Sequence, residues 1–384
     1  MKTFAVTAAG TVLLVVASSA TGQCQWRWER INAPGPSSRW HHGLVYDLAR
    51  SRVVLYGGVT VLENGSLSVL GDQWAWDGSA WSQILPSHTP GPRYRSLIAY
   101  DRTRDRIVLH GGAYGTVSGE YDYETWEFDG SDWALKTGIS PPTVALDTSM
   151  VYDAVRKMSV TCFGYPNWSS LTWGWNGQQW QQLGTTGPDW RYYIGMVWHS
   201  ARNEAIAYGG LISGSTPTDE LRFFDGDTWS LLESVGPGPR SNLALAYDSK
   251  HNLVVLMGGL QTNTSSSPPR GDTWVWDGQT WTEVVPEERG PGVRSRHRLV
   301  YDETRQEILL FGGRGDGNVS LEDFWRLTRA PRSDFDGDGF ITGLDYDLYV
   351  QAFEAGDAPA DFDGDGFVTG LDFDLYVTAF EAGC

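Results

Sequence analysis

The sequence predicts an all-β ring of six four-stranded units, followed by a small α-helical domain. Three observations carry this reading. An Asp/Asn-Gly-x-x-Trp pattern recurs with a period near 50 residues. Two further markers, Tyr-Asp and Gly-Gly, recur in the same order and with the same period. Residues 334–384 hold 13 acidic side chains and no Lys or Arg, and they contain a duplicated block. All 29 Lys and Arg lie in the rest of the chain, nearly balanced by its acids, so the net charge of −18 belongs mostly to the tail. A hydrophobic content of 41%, with 46 Gly and 19 Trp, suits a packed, turn-rich chain. With no basic footprint to neutralise phosphates, nucleic acid is excluded as a partner.

The N-terminus reads as an export signal over residues 1–20. Lys2 is the basic start, 4–16 is an apolar run, and Ser18-Ser19-Ala20 supplies small residues for a cut after Ala20. The run is shorter than the ~20 residues of a spanning helix, although an uncleaved anchor is the alternative. No other segment is apolar enough to span, so the expected location is secreted or cell surface, with no transmembrane segment in the mature chain. Three cysteines, Cys24, Cys162 and Cys384, are not a disulfide framework. Cys162 lies in a β-type run and is read as a buried core thiol.

The repeated body covers 24–330. Asp77-Gly78, Asp129-Gly130, Asn176-Gly177, Asp225-Gly226 and Asp277-Gly278 precede Trp81, Trp133, Trp180, Trp229 and Trp281, at Trp spacings of 52, 47, 49 and 52. Tyr-Asp recurs from Tyr46-Asp47 to Tyr301-Asp302, with Trp198-His199 in one slot. Gly-Gly recurs from Gly57-Gly58 to Gly312-Gly313, with Phe163-Gly164 as the degenerate copy. Each unit reads as four strands, in the first unit 43–46, 52–56, 73–76 and 81–84. Asp-Gly between the third and fourth is a hairpin signal, because its turn needs positive φ. The glycine pair is read as ending the second strand, where a side chain would block a left-handed turn or a close backbone approach. Trp at fixed positions fills the gap between adjacent sheets. No unit buries its faces alone, so the units stack or close.

The last unit, Asp323 to Leu327, runs on without an Asp-Gly-x-x-Trp, so its fourth strand is missing. The step from Trp28 to Arg39 equals the steps from Trp180 to Arg191 and from Trp229 to Arg240. The strand 26–31 therefore completes the sixth unit and removes a free edge.

The Gly-Gly pair, the Asp-x-Trp-x-Trp/Phe-Asp-Gly segment and the downstream Trp resemble the kelch family of β-propellers. The resemblance covers about 24–330 and implies a six-bladed kelch-like β-propeller. Units three and four depart most, through Phe163 and through Arg222-Phe223-Phe224 in place of Trp-x-Trp.

Alternation puts the Asp-Gly hairpins on one face. The loops after Gly-Gly share the opposite face with those leading into each first strand. The latter face carries long polar loops and is the expected ligand face. Arg39, Arg93, Arg191, Arg240 and Arg294 recur there. They are read as braces hydrogen bonding to carbonyls or to the Tyr-Asp carboxylates, with an anionic pocket as the alternative. His42 and His297 each follow the repeated Arg by three residues and are read as structural. Neighbouring His41 and His42 would point to opposite faces of a strand, a poor arrangement for one metal. No catalytic residue is assigned, since no nucleophile elbow, HExxH or phosphate loop is present.

In the tail, blocks 334–356 and 361–383 match at 20 of 23 positions. Calcium takes six to eight oxygens. A 12-residue loop supplies them from positions 1, 3, 5, 7 (a carbonyl), 9 and 12, with Gly at 6. Asp334, Asp336, Asp338, the Phe340 carbonyl, Thr342 and Asp345 hold those positions, with Gly339 at 6. Asp361, Asp363, Asp365, the Phe367 carbonyl, Thr369 and Asp372 hold them in the copy. Two calcium ions are expected. Leu344, Leu348 and Ala352, and their copies Leu371, Leu375 and Ala379, predict a short amphipathic helix after each loop. Gly356 and Gly383 follow as caps.

Loop-then-helix pairs with Asp at position 12 resemble a type I dockerin, over 331–384. The ending Phe-Glu-Ala-Gly-Cys resembles bacterial dockerin-like modules that finish in Gly-Cys. These resemblances imply an α-helical calcium-binding domain that docks on a cohesin-like or other surface partner, with Cys384 as the anchoring residue. The family's contact positions hold Gly343-Leu344 and Gly370-Leu371. The expected function is an exported binding scaffold whose propeller takes a protein or glycan ligand. The alternative is a carbohydrate-active enzyme, a glycan oxidase or hydrolase, on the same anchor.

Overall fold

The computed structural model describes residues 25–115, 120–139, 144–146, 148–162, 165–166, 171–184, 191–212, 216–232, 235–262, 267–284, 290–330, 333–336, 341–363 and 366–382. The export signal, Cys24, Phe163-Gly164, Asp338, Gly339, Phe340, Asp365, Gly383 and Cys384 lie outside them. The chain divides into Trp26–Thr328 and a unit that includes Arg329–Cys384.

Trp26–Thr328 is a six-bladed β-propeller. Among the described residues there are six four-stranded antiparallel sheets. Blade one runs Gly43–Asp47, Arg52–Val61, Leu67–Trp76, Trp81–Ile84, and blades two to five repeat it in chain order. Blade six orders Gln25–Ile31 beside Ser320–Ala330, then Glu307–Arg314 and Arg298–Asp302. The N-terminal strand thus supplies the strand that the last repeat lacks. The first strands form a closed circuit: Gly43–Asp47 contacts both Leu97–Asp101 and Arg298–Asp302.

Six apolar clusters fill the six gaps between blades. Trp76 and Trp81 of blade one pack on Leu309, Phe311 and Phe324 of blade six. Trp28 of the closing strand packs on Leu310 and Leu327 of its own blade and on Val255 and Met257 of blade five. In blade four, buried Phe224 stacks on Trp229 in the slot where Trp76 meets Trp81, and buried Phe223 takes the slot of Ala75. Cys162 is fully buried with its thiol 3.6 Å from the Met196 sulfur. Burial pushes that thiol well above its ordinary pKa, as for an inert core residue.

Two strand boundaries differ from the sequence expectation. In blades one, two, five and six the glycine pair does not end the second strand, whereas in blade four the strand stops at Tyr208, just before Gly209. In blade one that strand continues to Val61 through a register shift between Tyr56 and Gly58, and the third strand begins at Leu67, so much of the expected 59–71 loop is a longer hairpin. A bulge, not a stop, absorbs the positive φ of Gly57 and Gly58. The reason for glycine is nonetheless the one expected. A Cβ on Gly57, Gly209, Gly258 or Gly312 would sit 2.4–2.6 Å from the carbonyl oxygen of Arg93, Arg240, Arg294 or Arg39 of the next blade. The N–H groups of Gly58, Gly210, Gly259 and Gly313 donate to those same carbonyls at 2.9 Å.

The tail folds as two helices, α1 (Gly343–Ala355) and α2 (Gly370–Ala382). Thr342 caps α1 in a capping box with Asp345, and Gly356 ends it at φ 70°. Tyr349 and Tyr376, equivalent residues of the two copies, stack at 3.7 Å with planes 2° apart. Ala360, Phe362 and Ala379 complete the buried core around them. Leu344 and Leu371, expected in the buried stripe, are more than half exposed. They occupy the first helical turns, away from the tyrosine stack that organises the core.

Candidate functional site

The tail brings together the carboxylates that the spacing singled out. In the first loop Asp334, Asp336 and Asp345 each place an oxygen within 4.8 Å of the others. Asp361, Asp363 and Asp372 do the same in the second. Either cluster could hold a metal ion.

The position-12 aspartates organise these loops from the helix starts. Asp345 is fully buried; Oδ1 accepts from Asp336 N at 3.1 Å, and Oδ2 accepts from Thr342 N at 2.7 Å. In the copy, Asp372 Oδ1 accepts from Phe362 N and Asp363 N at 2.7 and 3.0 Å. Its Oδ2 accepts from Thr369 N at 2.7 Å. Burial pushes both carboxyls up, but the N–H donors outweigh it and hold both below the usual range. Gly366, at loop position 6 with φ 90°, donates its N–H to Asp361 Oδ2 at 2.8 Å. That closes the turn as a calcium-type loop requires. Thr342 and Thr369 spend their hydroxyls on the position-12 carboxylates, at 3.1 Å in each loop. Phe367 is described and exposed, whereas Asp338, Phe340 and Asp365 lie outside the described residues.

On the propeller, the repeated arginines are braces, buried in every blade that has one. Each donates Nη1 to the carbonyl of the first glycine of its own blade, at 3.1 Å for Arg39 to Gly57 and 2.9 Å for Arg294 to Gly312. Their acid partners are not the Tyr-Asp carboxylates. They are Asp72 for Arg39, Glu220 for Arg191, Asp272 for Arg240 and Asp323 for Arg294, all on the third strands or just before them. Arg93 has Asp122 and Glu124. Trp74, Trp126, Trp274 and Trp325 donate their indole N–H groups to the same acids from two residues on. The Asp-x-Trp or Glu-x-Trp spacing was the available signal for this set.

The Tyr-Asp carboxylates work on the opposite face. Asp101 accepts from Thr103 N and Arg104 N at 3.0 Å and pairs with Arg104 Nε at 2.7 Å. Asp47, Asp153 and Asp302 pair with Arg50, Arg156 and Arg305 in the same i,i+3 relation. Arg50 then reaches the Asp129 carbonyl of the next blade at 2.6 Å, over the Asp-Gly turn.

His42 and His297 are fully buried just before the first strands of blades one and six. His41 has φ 54°, so it is not on a regular strand. It lies at the propeller axis between Tyr94 and Tyr193.

No family model matches the sequence, and no curated protein does. Among solved structures, that of YjhT is similar, with a TM-score of 0.60 and 12% identity over 76% of this chain and 95% of that one. The fold is a β-propeller. At that identity the likeness shows the fold alone. Among the described residues no helix is long and apolar enough to cross a membrane.

Proposed function

We propose that the chain is an exported binding scaffold. A kelch-like propeller takes a protein or glycan ligand on the face that carries the Gly-Gly loops. A calcium-dependent, dockerin-like tail docks it to a surface partner. The observation that carries this reading is the duplicated carboxylate cluster in the tail. Two copies of one loop, Asp334 to Asp345 and Asp361 to Asp372, each gather three aspartates, the buried position-12 Asp among them. Carboxylates held this close repel one another unless a cation lies between them.

Calcium fits the donor set, which is all oxygen and comes from short loops. Asp334, Asp336 and Asp345 would hold one ion, and Asp361, Asp363 and Asp372 the other, with the remaining loop positions completing each shell. The ion would fix the loop against the helix start. The export signal and Cys384 extend the reading: the first delivers the chain outside, and the second is the point of attachment or processing.

Fractionation of producing cells tests the proposal. The full chain is expected on the surface in calcium and released by EDTA, while a chain ending before 331 is expected in the medium. Equal retention of the two would overturn the docking role. A Cys384→Ser variant that stays equally cell-associated removes the attachment role for that residue. Turnover on a glycan panel that is lost with one propeller residue would favour an enzyme instead.

A further inference from the structure

The face that carries the Asp-Gly turns, opposite the expected ligand face, holds a feature that the scaffold reading does not use. The first strand of each blade is an edge strand of its sheet, and the six of them close around the axis. They enclose a funnel of about 260 Å³ at the end where the Tyr-Asp markers sit. Arg102, Ser200 and Ser249 line it and are exposed, so it opens to solvent on that face. Every residue of these six strands and of the turns that follow them is described.

The repeat builds the funnel wall in three tiers, because residues two apart share one face of a strand. Leu44, Ile98, Met150, Met196, Leu245 and Leu299 form the innermost tier. Two residues on, each blade places an aromatic ring: five tyrosines, from Tyr46 to Tyr301, and Trp198. Tyrosine hydroxyls are spent on the turns. Tyr46 donates to Thr304 Oγ1 and Tyr152 to Thr103 Oγ1, both at 2.5 Å, and Tyr100 donates to Asp105 Oδ1 at 2.8 Å. This tier therefore offers ring surface more than polar groups. Four residues on from the innermost tier, Arg102, Ser200, Ser249 and Glu303 form the rim. Polarity thus rises in order from the inside to the mouth. At the rim, Arg102 of blade two and Glu303 of blade six form an ion pair that spans blade one. Their side chains are 39% and 36% exposed. A pair this exposed adds little to stability, so it opens readily to a better partner.

We propose that this funnel binds one apolar α-amino acid, with its side chain inward and its charged head at the rim. The volume decides the size. A cavity of about 150 Å³ takes a benzene ring, and about 260 Å³ leaves room for a polar head as well. The tiers decide the orientation. Met150 and Met196, whose unbranched thioethers adapt to varied shapes, receive the apolar body together with the aromatic walls. The rim decides the head. Arg102 and Glu303 touch each other, so a ligand that satisfies both carries a carboxylate and an ammonium side by side, as across one carbon. The carboxylate meets the Arg102 guanidinium and the ammonium meets Glu303, both in charge-assisted contacts.

The test is equilibrium dialysis of the full chain in excess calcium against labelled L-phenylalanine. One saturable site per chain is expected. Glycine, which lacks the apolar body, is expected not to compete. Phenylpropionate lacks the ammonium and phenethylamine lacks the carboxylate. Each is expected to compete about 10-fold more weakly than L-phenylalanine, one charge-assisted contact being lost. Arg102→Gln is expected to remove the preference for L-phenylalanine over phenethylamine and to keep the preference over phenylpropionate. Glu303→Gln is expected to do the reverse. Both side chains are exposed, so both variants are expected to fold. Should either fail to fold, the order of the four ligands on the wild-type chain decides. No retention of L-phenylalanine, L-leucine or L-tryptophan would leave the funnel to water and overturn the proposal. Competition by glycine equal to that by L-phenylalanine, or ligand preferences unchanged in both variants, would overturn it too.

Discussion

Arg240 holds Asp272 through two parallel hydrogen bonds, Nη1 to Oδ1 at 2.8 Å and Nη2 to Oδ2 at 2.9 Å. The arginine side chain is fully buried, and the Trp274 indole N–H donates to the same carboxylate at 2.8 Å. Burial opposes ionisation of Asp272, but Arg240 outweighs it and holds the carboxyl below its usual range. Removing the acid strands a buried guanidinium. Asp272→Ala is expected to cost about 3 kcal/mol in urea unfolding of the full chain in calcium. The Arg240→Met, Asp272→Ala double variant is expected to cost less than the two single losses added together. Strict additivity would contradict the pairing.

Ring closure rests on Trp28. It is 1% exposed, packs against Ile308, Leu310 and Leu327, and donates Nε1 to Thr273 Oγ1 at 3.2 Å. Trp28→Ala is expected to destabilise the propeller by about 3–5 kcal/mol, the range for emptying a large core site. A cost below about 1 kcal/mol, as for a surface residue, would mean that the N-terminal strand does not close the ring.

Two glycines with positive φ separate strain from collision. Gly258 has φ 65°, and a Cβ there would meet the Arg294 carbonyl at 2.5 Å; Gly278 has φ 100° with nothing within 4 Å. Gly278→Ala is expected to cost about 1 kcal/mol in backbone strain alone. Gly258→Ala is expected to cost clearly more, because the next blade must move and Gly259 N–H must lengthen its bond to Arg294 O. Equal costs in chemical denaturation would count against the close approach between blades.

Acid should weaken the propeller before its carboxylates titrate. His41, His42 and His297 are all held well below pKa 6.5, by burial first and then by arginines. Arg95, Arg296 and Arg298 act on His41, Arg298 and Arg39 on His42, and Arg294 and Arg298 on His297. The folded chain keeps these rings neutral, while the unfolded chain protonates them below about pH 6.5. Their contribution is therefore fully present above that pH and falls as pH drops toward the folded values. The slope is about 1.4 kcal/mol per pH unit for each ring. His297→Gln is expected to make the slope between pH 6 and pH 5 shallower. A flat stability profile over that range would contradict the burial of neutral histidines.

Most of the fold was legible because the repeat fixes it. The same residue does the same work in each blade, so Asp-Gly, Tyr-Asp and Gly-Gly mark period and order, and the lone Trp28 shows where the missing strand is. The partners of the arginines were less legible. Tyr-Asp lies nearest in the repeat to an arginine three residues on, as in Asp302 and Arg305. The acid that meets Arg39 is Asp72, 33 residues away, and only the strand pairing brings them together. The extension of the second strand beyond the glycines was hidden for a related reason: a bulge reads in sequence as a stop. In the tail, loop spacing located the carboxylates directly, because such a loop draws all its ligands from one short, continuous stretch of chain.

Calcium titration of the full chain by calorimetry tests the central claim most directly. Two ions per chain are expected, falling to one in Asp334→Ala and to one in Asp361→Ala, with helical circular dichroism lost on EDTA addition and regained with calcium. No calcium uptake, or circular dichroism unchanged between calcium and EDTA, would contradict it.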